Sequence, residues 1–133
     1  MIMSGDFNIE IEYKHVPRLE SGSDESIEYL EEHGYVVIKN ALSESEAAKT
    51  LDLLWDYLEE LNTGIDRNNP STWEDDRWPT CAHGGIMPSY GIGHSESQWY
   101  LRGIPNVKKA FAKIWESDDL LTSFDGVSLW RPW

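Results

Sequence analysis

The sequence has one cysteine, Cys81, among 133 residues. A disulfide framework needs pairs of cysteines and a structural zinc site usually needs several, so both are excluded. So little cysteine is typical of a reducing compartment, and we expect a cytoplasmic protein. No apolar run approaches the roughly 18 residues that span a bilayer, which predicts no association with a membrane.

Basic residues are also scarce, with 11 Lys and Arg against 24 Asp and Glu and a net charge of −13. Proteins that bind a nucleic-acid backbone need a basic face, so we expect no nucleic-acid partner. The deficit is uneven. Residues 1–66 carry 16 acidic and 4 basic side chains, whereas residues 67–133 carry 8 and 7. An anionic ligand is therefore expected on the second half.

Glycine-rich nucleotide loops and the Gly-x-Ser-x-Gly turn of hydrolases are absent, which argues against those enzyme classes. Tryptophan, in contrast, is abundant, with seven residues. Five of the seven lie outside the two helices predicted most strongly. Aromatic side chains in loops are typical of a packed lid or a binding surface.

The first forty residues predict two strands and a helix. Apolar and polar residues alternate over 7–13, which indicates a half-buried strand, and 14–23 is predicted as a loop. Ser23 is a candidate N-cap and Gly34 a natural stop for a helix over 24–33. The β-branched run at 35–38 predicts a buried strand.

The strongest prediction is a helix over 44–62, the longest of the chain. Ser43 and Glu46 have the spacing of a capping box, and Gly64 would end the helix. Apolar residues recur at steps of three and four, so one face of the helix is expected to be buried. The residues predicted to face the core are Leu51, Leu54, Leu58 and Leu61.

The second half begins with a loop over 63–95, whose length indicates a functional role. Helices follow over 96–102 and over 105–116, the second starting with Pro105 at its first position. Strands over 120–124 and 127–130 are predicted to form a hairpin through an Asp-Gly turn.

The end of the sequence, Arg131-Pro132-Trp133, follows an apolar strand with no predicted partner beyond it. Four short strands make a poor sheet by themselves. We therefore expect residues 1–133 to be a single domain that forms the front part of a larger β-rich fold.

Two segments carry a resemblance to a known family. The first is Glu32-His33-Gly34-Tyr35-Val36-Val37-Ile38 with the long helix after it. The second is Tyr90-Gly91-Ile92-Gly93-His94-Ser95 with Trp99 and Arg102, followed by 110–115 and 119–126. Together these segments resemble the N-terminal region of phytanoyl-CoA dioxygenase-like proteins, which are Fe(II)- and 2-oxoglutarate-dependent oxygenases.

The resemblance implies an α+β fold, with N-terminal helices and the first strands of a double-stranded β-helix (a cupin-like jelly roll) whose barrel is incomplete in this chain. It also implies Fe(II) and 2-oxoglutarate as cofactors of the complete enzyme. The family holds iron with a His-x-Asp or His-x-Glu pair and a distant histidine. Here no His-x-Asp occurs and no histidine follows His94. We expect no cofactor to be bound by this chain alone.

His94 and Glu96 are the one formal His-x-Glu match. Ser95 between them is better interpreted as a helix N-cap, so a structural or substrate-facing role for His94 is favoured over iron ligation. Arg102 follows Trp99 by three residues and so shares its helix face. Stacking of Arg102 on the Trp99 indole is the favoured interpretation, and binding of an acidic group of a substrate is the alternative. The candidate substrate-binding residues are His83, Tyr90, His94, Trp99, Arg102 and Arg131.

Two functions remain open. The first is the N-terminal portion of a dioxygenase that hydroxylates a small organic substrate, without the metal-binding half and without catalytic residues of its own. The alternative is a non-catalytic, acidic, Trp-rich binding module derived from that family.

Overall fold

The computed structural model describes residues 15–74, 76–79 and 85–129. Its strands are β1 (Arg18–Glu20), β2 (Val37–Lys39), β3 (Ile86–Met87) and β4 (Val127–Ser128). Its helices are α1 (Asp24–His33), α2 (Glu44–Glu60), α3 (Glu96–Gly103) and α4 (Pro105–Trp115). Within this part of the chain, no helix is both long and apolar enough to cross a membrane.

Helix α1 begins and ends where its sequence predicts. The Ser23 hydroxyl accepts a hydrogen bond from the Ser26 N–H, and Gly34 closes the helix in the left-handed conformation. The strands on either side of α1, β1 and β2, pair in parallel, and Leu19 lies opposite Ile38. The prediction of a loop over 14–23 is wrong at β1, because this short strand finds its partner nineteen residues away, beyond the range of a local pattern.

The predicted strand over 35–38 is shifted and less buried than expected. Strand β2 begins at Val37, and both Tyr35 and Val37 are exposed. Among the described residues, β2 pairs with β1 in a two-stranded sheet, and Leu19 is the buried residue of these two strands. The strand predicted over 7–13 lies outside the described residues.

Helix α2 is the longest helix and has the predicted capping box. The Ser43 hydroxyl accepts from the Glu46 N–H, and the Glu46 carboxylate accepts from the Ser43 N–H at 2.8 Å. The helix ends at Glu60, two residues earlier than predicted, because Asn62 takes a left-handed turn before Gly64 is reached.

The core lies against one face of α2 and consists of Leu58, Ile65, Met87 and Ile92. Leu58 confirms the predicted face, and Leu54 packs at its edge. Leu51 is 54% exposed, so its assignment to the core is wrong. Three of the four core residues, Ile65, Met87 and Ile92, come from the predicted loop over 63–95, which also contains β3.

Trp73 and Trp78 in this loop also pack on the core, with Trp73 stacked 5.1 Å from Trp55. Of the two predictions for aromatic side chains in loops, these two tryptophans agree with the packed lid. The hairpin prediction is wrong as well: 120–124 is not a strand, and β4 pairs antiparallel with β3, Met87 opposite Val127. The Asp-Gly step directs the chain across β3 instead of folding it back.

The described residues form helices and two small sheets without a closed barrel. The double-stranded β-helix implied by the family resemblance, and the assignment of 1–133 to one larger domain, stay predictions.

Candidate functional site

Three of the candidate substrate-binding residues meet at the start and along one face of α3. His94 ends a short 3-10 turn over Ile92–His94. Ser95 then caps α3, its hydroxyl accepting from the Gln98 N–H, as the sequence predicts. Trp99 and Arg102 follow three residues apart and so share a face of the helix.

The side chains of His94, Trp99, Arg102 and Phe124 form what we call the α3 cluster. The His94 ring lies 4.4 Å from the Phe124 ring and 5.9 Å from the Trp99 ring, measured between centroids. The Arg102 guanidinium carbon lies 5.3 Å from the centroid of the Trp99 ring. This is the distance of a cation–π contact.

Gly93 allows the backbone around the α3 cluster to come together. Arg102 Nη1 donates a hydrogen bond to the Gly93 carbonyl oxygen at 2.5 Å. A Cβ atom at Gly93 would overlap the Phe124 carbonyl oxygen and come within 2.7 Å of the Asp125 carbonyl oxygen. The absence of a side chain therefore permits residues 124–125 to cross directly over the turn that carries His94.

A groove with a volume of about 330 Å³ adjoins the α3 cluster, between α3, α4 and residues 118–122. We call it the α3–α4 groove. Its principal side chains are Trp99, Arg102, Lys108, Phe111, Leu120 and Leu121. The volume falls at the small end of the range of ligand pockets, about 300–1,000 Å³.

The groove exists because α3 and α4 are joined by a single residue, Ile104. This residue is 3% exposed and has an extended backbone, so it both ends α3 and precedes α4. Pro105 lacks an N–H and cannot continue α3, which fixes the break at this point. The two helices therefore diverge from a buried corner and leave their apolar sides facing a shared space.

The charge of this region differs from that of the rest of the chain. No acidic residue occurs between 97 and 115, a stretch that contains Arg102, Lys108, Lys109 and Lys113. Lys113 is committed to α1, because its ammonium lies 2.7 Å from the Asp24 carboxylate. This pairing raises the pKa of Lys113 and lowers the pKa of Asp24. Within the described part of the chain, no carboxylate pairs with Arg102 or Lys108 in this way.

Tyr90 is held against α2 and not against α3. It is exposed and left-handed, with φ of 62°, and its carbonyl oxygen accepts a short hydrogen bond from the Tyr57 hydroxyl. Partial burial raises the pKa of Tyr57, which keeps this hydroxyl a donor. His83 and Arg131 lie outside the described residues, so their predicted roles in substrate binding stay predictions.

The described residues do not fit a facial triad for iron. Across 15–74, 76–79 and 85–129, no three His, Cys, Asp or Glu side chains converge on one point. His94 packs its ring on Phe124, and Glu96 is the first residue of α3, where a carboxylate is stabilised by the helix dipole. We therefore derive no reaction step through iron from these residues.

Sequence reasoning missed the residues that complete this site. Phe124 and Leu121 were assigned to a strand, and Lys108 was not singled out. One signal is available: the acid-free stretch over 97–115 concentrates four of the chain's 11 Lys and Arg residues beside four aromatic side chains. Contact between Phe124 and His94, thirty residues apart, leaves no comparable signal.

Two curated proteins are similar to this chain. "Ava biosynthesis cluster protein O" of Aspergillus versicolor is 37% identical over 109 residues, which cover 75% of this chain and 35% of that protein. "Putative phytanoyl-CoA dioxygenase" of Dictyostelium discoideum is 32% identical over 110 residues, which cover 79% of this chain and 31% of that protein. No family model and no solved structure matches the sequence.

The chain spans about a third of the length of these curated relatives. Over most of its own length, however, both relatives align with it, and one of them carries the name of the family that its motifs resemble. This chain is therefore a relative of the phytanoyl-CoA dioxygenase-like family.

Proposed function

We propose that this chain forms the N-terminal portion of a non-haem Fe(II)/2-oxoglutarate-dependent dioxygenase that hydroxylates a small organic substrate. The observation that carries the proposal is the 32% identity to the Dictyostelium protein over 79% of this chain. Since the matched segment is only about a third of each relative, the metal ligands of the complete enzyme are assigned to the part that this chain does not match. There, Fe(II) and 2-oxoglutarate would supply the oxidising chemistry.

The contribution of this chain is to position a substrate-facing surface. Ser97 is 1% exposed, and its hydroxyl donates to the Thr50 carbonyl oxygen at 3.0 Å, which fastens α3 to α2. The opposite side of α3 carries Trp99, which is 45% exposed, and Arg102, which is half-buried. We assign these two residues and His94 to contact with the substrate, and we extend the proposal to Tyr90, His83 and Arg131.

The alternative is a non-catalytic, acidic binding module derived from the same family. One observation favours it: the α3–α4 groove is lined entirely by residues of this chain, so it needs no other part of an enzyme to hold a small ligand. In this case the chain would bind through the same residues but would not act on what it binds.

A chimera tests the proposal. This chain replaces the matched segment of the Dictyostelium relative, and succinate formed from 2-oxoglutarate is measured with Fe(II), beside the parent protein and this chain alone. We expect succinate formation by the parent and the chimera and none by this chain, which should also bind no Fe(II) stoichiometrically in an anaerobic titration.

Two results would overturn the proposal. One is an inactive but folded chimera beside an active parent, which would favour the binding module. The other is stoichiometric Fe(II) binding by this chain that is lost on His94→Ala or Glu96→Ala, which would place a metal site here after all.

A further inference from the structure

We propose that the α3–α4 groove binds a small organic anion with an apolar body, the acid group lying at Arg102 and Lys108. The inference rests on the proposed function only in naming this ligand as the substrate; the binding itself is a property of this chain. Three features of the groove carry it: an apolar lining that is open to water, two cations that form no ion pair with a described carboxylate, and a restricted volume.

The apolar lining is unusually exposed. Phe111 is 55% exposed, Leu120 40% and Leu121 fully exposed, and they surround the same space as the Trp99 indole. Contiguous apolar surface of this kind on a soluble protein marks a binding site more often than scattered single residues do. Covering these side chains with an apolar ligand would remove them from water and stabilise the complex.

The cations of the groove are free to bind an acid. The Arg102 guanidinium has five N–H donors, and one of its terminal nitrogens is used by the Gly93 carbonyl oxygen. Stacking on Trp99 holds the rest of the guanidinium at the edge of the groove. Lys108 lines the same space, and Asp118 is the one acidic residue of the lining.

The other two lysines of α4 are turned away from this space. Lys113 pairs with Asp24, and the Lys109 side chain lies against Gly22, so that a Cβ atom there would come within 3.0 Å of it. Two cations against one carboxylate leave the groove positive in a chain of net charge −13. An anion is therefore preferred to a neutral or cationic ligand of the same shape.

The volume limits the size of the ligand. A space of about 330 Å³ admits a fused two-ring body or a short aliphatic chain, and not a large cofactor or a folded partner. The flat indole of Trp99 and the Phe111 ring favour a flat apolar body, because aromatic faces stack.

Three naphthalene probes of equal shape test the inference on the full 133-residue chain: 1-naphthoate, 1-naphthalenemethanol and 1-naphthylmethylammonium. Affinity is measured by calorimetry at low and high salt. We expect the acid to bind at least about ten-fold more tightly than the alcohol, and the amine to bind most weakly. The preference for the acid should shrink at high salt, because these cations are near the surface.

Substitutions then locate the binding. Lys108→Gln should weaken the acid about three- to five-fold and leave the alcohol unchanged, whereas Leu121→Asn should weaken both. Lys49→Gln is the matched control. Lys49 belongs to α2, and its ammonium lies 4.4 Å from the ring of Tyr100, a residue of α3 outside the groove. Its replacement should change the affinity of neither the acid nor the alcohol. Lys108 and Leu121 are exposed, so these variants should fold.

Equal affinity of the acid and the alcohol would overturn the inference, as would an affinity for the acid that neither Lys108→Gln nor Leu121→Asn lowers. Because no iron or turnover enters these measurements, the outcome is separate from that of the chimera. If the chimera is active and the groove does not prefer the acid, the anion site alone is rejected. If the chimera is inactive and the groove does prefer the acid, the proposed enzymatic function alone is rejected.

Discussion

Helices α2 and α4 have the same kind of amphipathic pattern and different surroundings. On α2, Leu58 is 1% exposed and lies at the centre of the core. On α4 no residue is buried, and Phe111 and Trp115 are 55% and 69% exposed. An apolar stripe therefore identifies the face of a helix that can be buried, but the segment that buries it is determined elsewhere in the chain.

The residues that bury the apolar face of α2 come from a segment whose apolar residues show neither the helix nor the strand period. Ile65, Met87 and Ile92 pack on it from three separate places in the 63–95 segment, Met87 from strand β3. Helix α4 is joined to α1 through Lys113 and Asp24 on its polar side, and its apolar side faces the α3–α4 groove. The difference separates a helix that holds the fold together from a helix that presents a surface.

The largest expected effect tests this difference directly. Leu58→Ala should reduce the free energy of unfolding by about 2–5 kcal/mol, because it leaves a cavity among well-packed neighbours. Phe111→Ala, although it removes a larger side chain, should cost less than about 1 kcal/mol. Urea denaturation of both variants measures the two losses. Comparable losses would mean that α4 is buried against something in solution.

A second prediction concerns the wall of the groove. Gly93→Ala should cost about 1–3 kcal/mol or more, because the new methyl group meets the Phe124 and Asp125 carbonyl oxygens, and backbone cannot move aside as a side chain can. Gly103→Ala is the control, since a Cβ atom there meets nothing within 4 Å. Thermal denaturation compares the two variants, and a neutral Gly93→Ala would show that residues 124–125 do not cross Gly93.

A third prediction sharpens the comparison at the helix ends. Helix α2 has a capping box at Ser43, whereas α4 has no side-chain cap. Ser43→Ala should therefore destabilise the protein by about 1 kcal/mol. Ser45 is the second residue of the same helix. Ser45→Ala should leave the stability unchanged or raise it slightly, because alanine is the better helix former. Chemical denaturation measures both variants. If Ser43→Ala and Ser45→Ala lowered the free energy of unfolding equally, the loss could not be attributed to the cap.

The helices could be predicted from the sequence because their signals are local. Ser23 and Ser43 cap the helices as their spacing requires, and Gly34 and Pro105 stand at the predicted boundaries. Trp99 and Arg102 were placed on one face by a spacing of three residues. All of these depend on neighbours within one or two turns of the chain.

The strand pairings and the groove could not be predicted in this way. Strand β4 was assigned to a hairpin because an Asp-Gly step is a frequent hairpin turn, yet β3 binds it from forty residues away. Leu51 fits the apolar period of α2, but no segment among the described residues buries it. The pairing of β4 and the exposure of Leu51 both depend on the positions of segments far away in the sequence, which a local pattern cannot predict.

The smallest expected effect concerns the link between α2 and its covering segment. Arg67 forms ion pairs with the Asp56 and Glu59 carboxylates of α2, and its own backbone N–H donates to Glu59 Oε1 at 2.8 Å. These contacts raise the pKa of Arg67 and, mainly through the Arg67 side chain, lower the pKa of Glu59 below its ordinary value. Arg67→Gln should therefore lower the urea midpoint slightly at neutral pH, less than Ser43→Ala does.

The pH dependence identifies the cause of that loss. A carboxyl group with a lowered pKa in the folded protein contributes stability above its ordinary pKa, about 4.3, and loses it as the pH falls through the folded value. The difference in urea midpoint between the wild type and Arg67→Gln should thus be constant above about pH 5 and should become smaller in more acid solution. Arg77→Gln is the control from the same segment: Arg77 lies 3.4 Å from the Gly64 carbonyl oxygen and forms no ion pair with a carboxylate of the described residues, so this variant should show no such narrowing. If this difference in urea midpoint were unchanged below about pH 3, Arg67 would act through packing of its aliphatic stem and not through the carboxylates of α2.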